Sequence, residues 1–302
     1  MKKLSRFLLG SAGAAGVLTS AYSYLLSRYT TGGKRQTLEE ARTWQAAHYD
    51  ISWFDKLRQE RYVIDSFDGY RLHVQLCENP EADGKKYVIL THGYTDNRIG
   101  MLKYMQIYLR RGFHCIIWDI RGHGENEPEA CTFGIRESRD LCALIQDTYA
   151  RYGQDIVLGL HGESLGAATV ITSLGQCQRV NFAVSDCGFS DITNVLKGSL
   201  AYRHIPTCLV DTASLATRLR VGYFFGQMKP VRALPKNKVP VLFLHGMEDR
   251  FIPPENSLRM QQATRGYSEF HMIPGAGHAN SVLTDPAAYE AVVDAFLDAI
   301  KM

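Results

Sequence analysis

The chain has 302 residues, 45% hydrophobic and 22% charged, which is enough apolar material for one domain with a large core and excludes a disordered chain as the default. Its 34 basic and 31 acidic residues leave a formal net charge of +3, so no broad basic surface for nucleic acid is implied. The seven cysteines are scattered, with no CxxC pair, and no HExxH, P-loop or Cys/His cluster appears; neither a metal nor a cofactor is called for.

At the N-terminus, Phe7 to Leu26 are 20 consecutive uncharged residues behind Lys2, Lys3 and Arg6, about the length of a bilayer-spanning helix. Residues 1–28 are therefore expected to be a membrane anchor or signal sequence. Thr19-Ser20-Ala21 offers a cleavage site of small residues, but the apolar stretch is long for a signal peptide, which favours a retained anchor. The leading basic residues predict that the folded domain lies on the extracytoplasmic side, with Arg28, Lys34 and Arg35 weighing against that orientation. Residues 29–60 read as a helical stalk: Leu38 to Tyr49 form a polar helix, and Trp44, Trp53 and Phe54 touch membrane or domain.

The main domain is expected over 61–302. Tyr62–Ile64 and Leu72–Leu76 flank Asp68-Gly69, the pattern of an antiparallel hairpin. Short apolar runs at Tyr87–Leu90, Phe113–Trp118, Ile156–Leu160, Phe182–Val184 and Val241–Leu244 then alternate with segments of helical period. Leu141, Leu144, Ile145, Tyr149 and Tyr152 make one helical stripe; Tyr289, Val292, Val293, Phe296, Leu297 and Ile300 make another. The alternation predicts an α/β fold, a mostly parallel sheet with helices on both faces. Residues 187–238 break the rhythm with Tyr202, Tyr223, Phe224 and Phe225 and three prolines, and read as an inserted helical cap. Tyr202, Phe224 and Phe225 are its candidates for lining a substrate pocket.

Gly162-Glu163-Ser164-Leu165-Gly166 is a GxSxG string between a buried strand and a helix, the context a nucleophile elbow needs. A serine hydroxyl attacks well only when an imidazole takes its proton, and the imidazole needs a carboxylate to orient it. Asp249 follows the Val241–Leu244 strand and His278 follows a strand expected at Phe270–Ile273, so both should emerge at the same sheet edge as Ser164; Glu248 is the rival acid. Backbone N–H groups of Leu165 and of Tyr94, in the loop after the Tyr87–Leu90 strand, are the candidates for holding an oxyanion, and the Tyr94 side chain should then be replaceable at little cost. His92 and His245 are read as loop-packing residues.

With Thr91–Asn97, Trp118-Asp119-Ile120-Arg121-Gly122-His123-Gly124, Gly162–Gly166, Asp249 and His278 in this order, the chain from about Arg61 onward resembles the α/β-hydrolase superfamily. Within it the chain looks most like the serine aminopeptidase-like (Hydrolase_4-type) group. The resemblance implies a serine hydrolase acting on a small-molecule ester or acyl substrate, with an aminopeptidase and a non-catalytic scaffold of the same fold as alternatives; oligomeric state is left open. Two departures stand out: Glu125 and Asn126 follow the Gly-His-Gly turn where a serine is common, and Glu163 sits beside the nucleophile, where a salt-bridged structural role is the simpler reading.

Overall fold

The computed structural model describes residues 18–82 and 84–302. Its strands are β1 (Arg58–Asp65), β2 (Arg71–Glu78), β3 (Lys86–Thr91), β4 (His114–Trp118), β5 (Val157–Glu163), β6 (Phe182–Asp186), β7 (Val241–Gly246) and β8 (Ser268–Ile273), joined in one sheet in the order 1-2-4-3-5-6-7-8. β1 and β2 form the antiparallel hairpin, β2 runs antiparallel to β4, and every pairing from β4 through β8 is parallel. All residues of β4, β6 and β7 are buried, as a sheet covered on both faces requires.

The period-2 alternation of the strands sorts side chains into two cores. Tyr87, Ile89, Ile116 and Trp118 face the layer that contains α4 (Glu137–Tyr152), α5 (Leu165–Leu174) and α8 (Glu255–Ala263). Val88, Leu90, Cys115 and Ile117 face α3 (Leu102–Arg110) and α10 (Pro286–Ala299), with the short α9 (Ser281–Thr284) beside them. Both helical stripes expected from sequence, on α4 and α10, point into these cores.

The inserted cap is helical, with α6 (Ile192–Tyr202) and α7 (Leu209–Val221). Its aromatics are split: Phe225 is fully buried with Tyr223 in the core on the α4–α5 face of the sheet, while Tyr202 and Phe224 are 78% and 43% exposed. None of the three expected pocket residues, Tyr202, Phe224 and Phe225, lines the cavity over Ser164.

Residues 7–17 of the expected membrane span lie outside the described residues, and among the described residues no helix is long and apolar enough to cross a membrane. Residues 18–32 are helical (α1) and lie on α7 through small hydroxyl side chains. Ser23 Oγ donates to Thr212 Oγ1 at 2.6 Å, Thr217 Oγ1 donates to Ser27 Oγ at 2.8 Å, and Ser23, Ser27 and Thr31 are buried.

The expected stalk does contain a helix, α2 (Leu38–His48), opened by a Thr37–Glu40 capping box. It lies along the domain rather than projecting from it. Ala41 is buried, Gln45 Nε2 donates to the Gly100 carbonyl at 3.2 Å, and Phe54 is buried in the core.

Candidate active site

The parallel strands deliver their loops to one edge, and the site lies there. Ser164 directly follows β5, at φ 54° and ψ −111°, a conformation that non-glycine residues seldom hold. The strain persists because the neighbouring backbone permits nothing looser. A Cβ on Gly166 would sit 2.0 Å from the Thr91 carbonyl, and one on Gly162 would sit 2.3 Å from Gly166. Strand and helix thus meet at contact distance with Ser164 at the apex.

Ser164 Oγ lies 2.9 Å from His278 Nε2, and His278 Nδ1 lies 2.6 Å from Asp249 Oδ2. Asp249 follows β7 and His278 follows β8, so three separate strand ends supply the row. Asp249 is buried and crowded with donors: the Phe251 and Ile252 amides reach Oδ1 at 2.9 Å each, and His245 Nε2 approaches Oδ2 at 3.2 Å. Burial alone would raise its pKa, but hydrogen bonds from His245 and His278 hold it well below the usual carboxylate range. Glu248, the rival acid, is exposed.

Neither the Tyr94 nor the Leu165 amide has an acceptor among the described residues. His92 fixes the first of them. Its Nε2 accepts the Ile120 amide at 2.9 Å, so Nδ1 carries the proton and donates to the Gly93 carbonyl at 2.7 Å. Gly93 C=O and Tyr94 N–H share one planar peptide, and holding the carbonyl sets the direction of the N–H. Burial pushes the His92 pKa down to about 4, so this tautomer persists through the neutral range.

The Tyr94 side chain is not a bystander. Its hydroxyl accepts the Gly33 amide at 3.0 Å, and its ring carries the Arg35 guanidinium 4.3 Å from its centroid. It therefore ties the N-terminal segment to the loop beside Ser164, which corrects the expectation that it could be replaced cheaply.

Behind the serine lies a buried polar network. Lys103, on α3, forms an ion pair with Glu163 and donates to the Ala279 carbonyl at 3.3 Å, joining the elbow to the loop that carries His278. Burial alone would lower the Lys103 pKa; Glu163 and Asp96 together carry it above the ordinary lysine value. The Tyr104 hydroxyl lies 2.6 Å from Glu163 Oε2 and 2.9 Å from Asp186 Oδ2. One hydroxyl proton serves only one of these contacts, so the other needs a proton on a carboxyl. Burial and the neighbouring Glu163 charge raise the Asp186 pKa to about 6, so Asp186 takes up that proton as the pH falls below about 6.

A cavity of about 530 Å³ opens over Ser164 and His278. One wall is Gly93, Tyr94, Asp96, Lys103 and Glu163; the facing wall is Lys34, Arg35, Trp44 and Gln45 from the N-terminal segment. Sequence reasoning missed this second wall and Lys103. A single lysine among Leu102, Tyr104, Met105 and Ile107 was the available signal for a buried charge, since an apolar stripe rarely carries one without a partner.

A family model described as "Alpha/beta hydrolase family" matches residues 88–295. The uncharacterized protein YqkD of Bacillus subtilis is 28% identical over 99% of this chain and 98% of its own length. The human protein ABHD12B is 28% identical over 61% of this chain and 51% of its own. Among solved structures, the Pyrococcus furiosus esterase Pf2001 superposes with a TM-score of 0.67 at 21% identity, covering 80% of this chain and 91% of that one. A Pyrococcus horikoshii acylaminoacyl peptidase gives 0.62 at 15% identity, covering 84% and 43%.

Proposed function

This chain belongs to the alpha/beta hydrolase family, and on that premise we propose that it is a serine hydrolase that cleaves carboxylic esters through an acyl-enzyme. The observation that carries the reading is the row Ser164 Oγ, His278 and buried Asp249, with contacts of 2.9 and 2.6 Å. Ser164 attacks the ester carbonyl while His278 Nε2 takes the hydroxyl proton, and Asp249 stabilises the imidazolium through Nδ1–H. The negative charge that develops on the carbonyl oxygen is held by the Tyr94 and Leu165 amides, the latter at the N-terminus of α5. His278 then returns the proton to the leaving alkoxide, and water repeats the sequence on the acyl-enzyme. Amide cleavage at a free amino terminus would call for a charged acid presented to the pocket, whereas Glu163 and Glu125 are paired with Lys103 and Arg98 and burial pushes the Asp96 carboxyl in the wall up to about 6. These settings favour the ester. Labelling of the purified protein by a fluorophosphonate, abolished in Ser164→Ala, is the expected result; an unlabelled, folded wild type would refute an activated serine.

The uncharged residues from Phe7 up to the helix that lies on α7, behind Lys2, Lys3 and Arg6, support the further reading that the N-terminus holds the enzyme at a membrane, with the hydrolase domain extracytoplasmic. The full chain should then stay with membranes through an alkaline carbonate wash, and its domain should be open to protease added from the extracytoplasmic side. Release by the wash would count against the anchor.

A further inference from the structure

A second cavity, of about 420 Å³, lies beside the first and shares one lining residue with it, Arg35. Arg28 from α1 and Arg220 from α7 complete an unusual wall. None of these three guanidinium groups forms an ion pair among the described residues. The carboxylate that also lines the cavity, Glu129, is engaged by Arg136 at 3.2 Å.

Arg220 and Arg35 are held by neutral groups. Arg220 Nη1 donates to Ser27 Oγ at 2.7 Å and to Thr31 Oγ1 at 3.3 Å; Arg35 Nη2 donates to the Thr31 carbonyl at 3.4 Å. Arg35 Nη1 is buried with no hydrogen-bond partner. Hydroxyls and a carbonyl orient these groups without cancelling their charge, and a buried donor without an acceptor is a group with something still to bind. Three like charges brought together around a hollow repel one another, and an anion placed among them would remove that cost.

We infer that this cavity is the subsite for a phosphate monoester group on the substrate whose ester bond lies at Ser164, so the natural substrate is a phosphorylated ester. The inference rests on the hydrolase reading for the ester and on the arginines for the phosphate. Three guanidinium groups facing one already paired carboxylate match a dianion better than a single carboxylate. Arg35 lies where the two cavities meet, between the reacting bond and the anionic end.

The test compares 1-butyrylglycerol with 1-butyrylglycerol 3-phosphate by acid release, in wild type and in Arg28→Gln/Arg220→Gln. Arg35 is left intact because it packs on Tyr94. The wild type should favour the phosphorylated ester by roughly tenfold or more in kcat/KM, and the double variant should lose that preference. A preference the variant leaves unmoved would overturn the inference. The same pair with palmitoyl chains, presented in phosphatidylcholine vesicles, separates sources. Preference in solution identifies a soluble phosphate ester, preference confined to vesicles identifies a lipid headgroup, and preference in neither overturns the subsite. Should no ester be cleaved, calorimetry with glycerol 3-phosphate decides the subsite alone: binding weakened by the double variant supports it, and absence of binding refutes it.

Discussion

Lys103→Met is the substitution that most sharply tests how the site is held together. It removes the ammonium that faces Glu163 and leaves that side chain beside Asp96 and Asp186, in a region where Lys103 and Glu163 are each about 5% exposed. Removing one partner of a buried pair costs about 3–5 kcal/mol, because the charge left behind is neither solvated nor matched. A chain of this length unfolds with an entropy near 0.6 kcal/mol/K, so the loss corresponds to a fall of roughly 5–8 °C in Tm. Glu163→Gln alone strands Lys103 instead and should also destabilise, while Lys103→Met/Glu163→Gln removes both charges and should be better than the sum of the two by about 2 kcal/mol or more. Differential scanning calorimetry on the four proteins measures this coupling. Effects that add to within about 0.5 kcal/mol would refute the view that the pair acts as a unit. The Lys103 bond to the Ala279 carbonyl adds a second readout: kcat should fall in Lys103→Met at temperatures where the protein is fully folded.

Asp249→Asn should lower kcat by about 10³- to 10⁴-fold with KM little changed, since it disturbs the proton arrangement on His278 and leaves the pocket intact; steady-state kinetics on a neutral ester checks this. Asp186 has its folded pKa raised from 3.8 to about 6, so its stabilising contribution is full below about pH 4 and is lost as pH rises through about 6. Asp186→Asn should therefore flatten the decline in stability between pH 4 and pH 6.5 by roughly 3 kcal/mol, as read by unfolding midpoints across that range. Gly166→Ala places a methyl 2.0 Å from the Thr91 carbonyl and should prevent folding or abolish fluorophosphonate labelling; a labelled, wild-type-like protein would contradict the elbow packing. Tyr94→Phe keeps the amide but loses the bond to Gly33, so it should raise KM more than it lowers kcat.

The sheet was legible because its strands are short apolar runs whose burial needs no partner to be guessed: all five residues of β4 are apolar or buried outright. Ser164, Asp249 and His278 could be located as well, each at the end of such a run, where topology alone brings them to one edge. The Lys103–Glu163 pair spans 60 positions and has no local periodicity to announce it. The same holds for the N-terminal wall. α2 is polar on most of its surface, with Ala41 and Gln45 its buried residues, so nothing in its pattern distinguishes a helix in water from one docked on the domain through Ala41 and the Gln45 hydrogen bond to Gly100. The cap misled for the opposite reason. Aromatic content told that something there is buried, but Phe225 turns inward and Tyr202 outward, and composition does not encode which way a helix faces.

The family match starts at residue 88, whereas Lys34, Arg35, Trp44 and Gln45 in the pocket wall precede it. One pocket wall and the Ser164–His278–Asp249 row thus come from different stretches of the same chain. Changes at Lys34, Trp44 or Gln45 alter that wall without replacing any member of the Ser164–His278–Asp249 row. The leading segment thus closes over a rim that the family-matched stretch builds, so the shape of the cavity depends on how firmly Gly33, Arg35 and Gln45 hold it down.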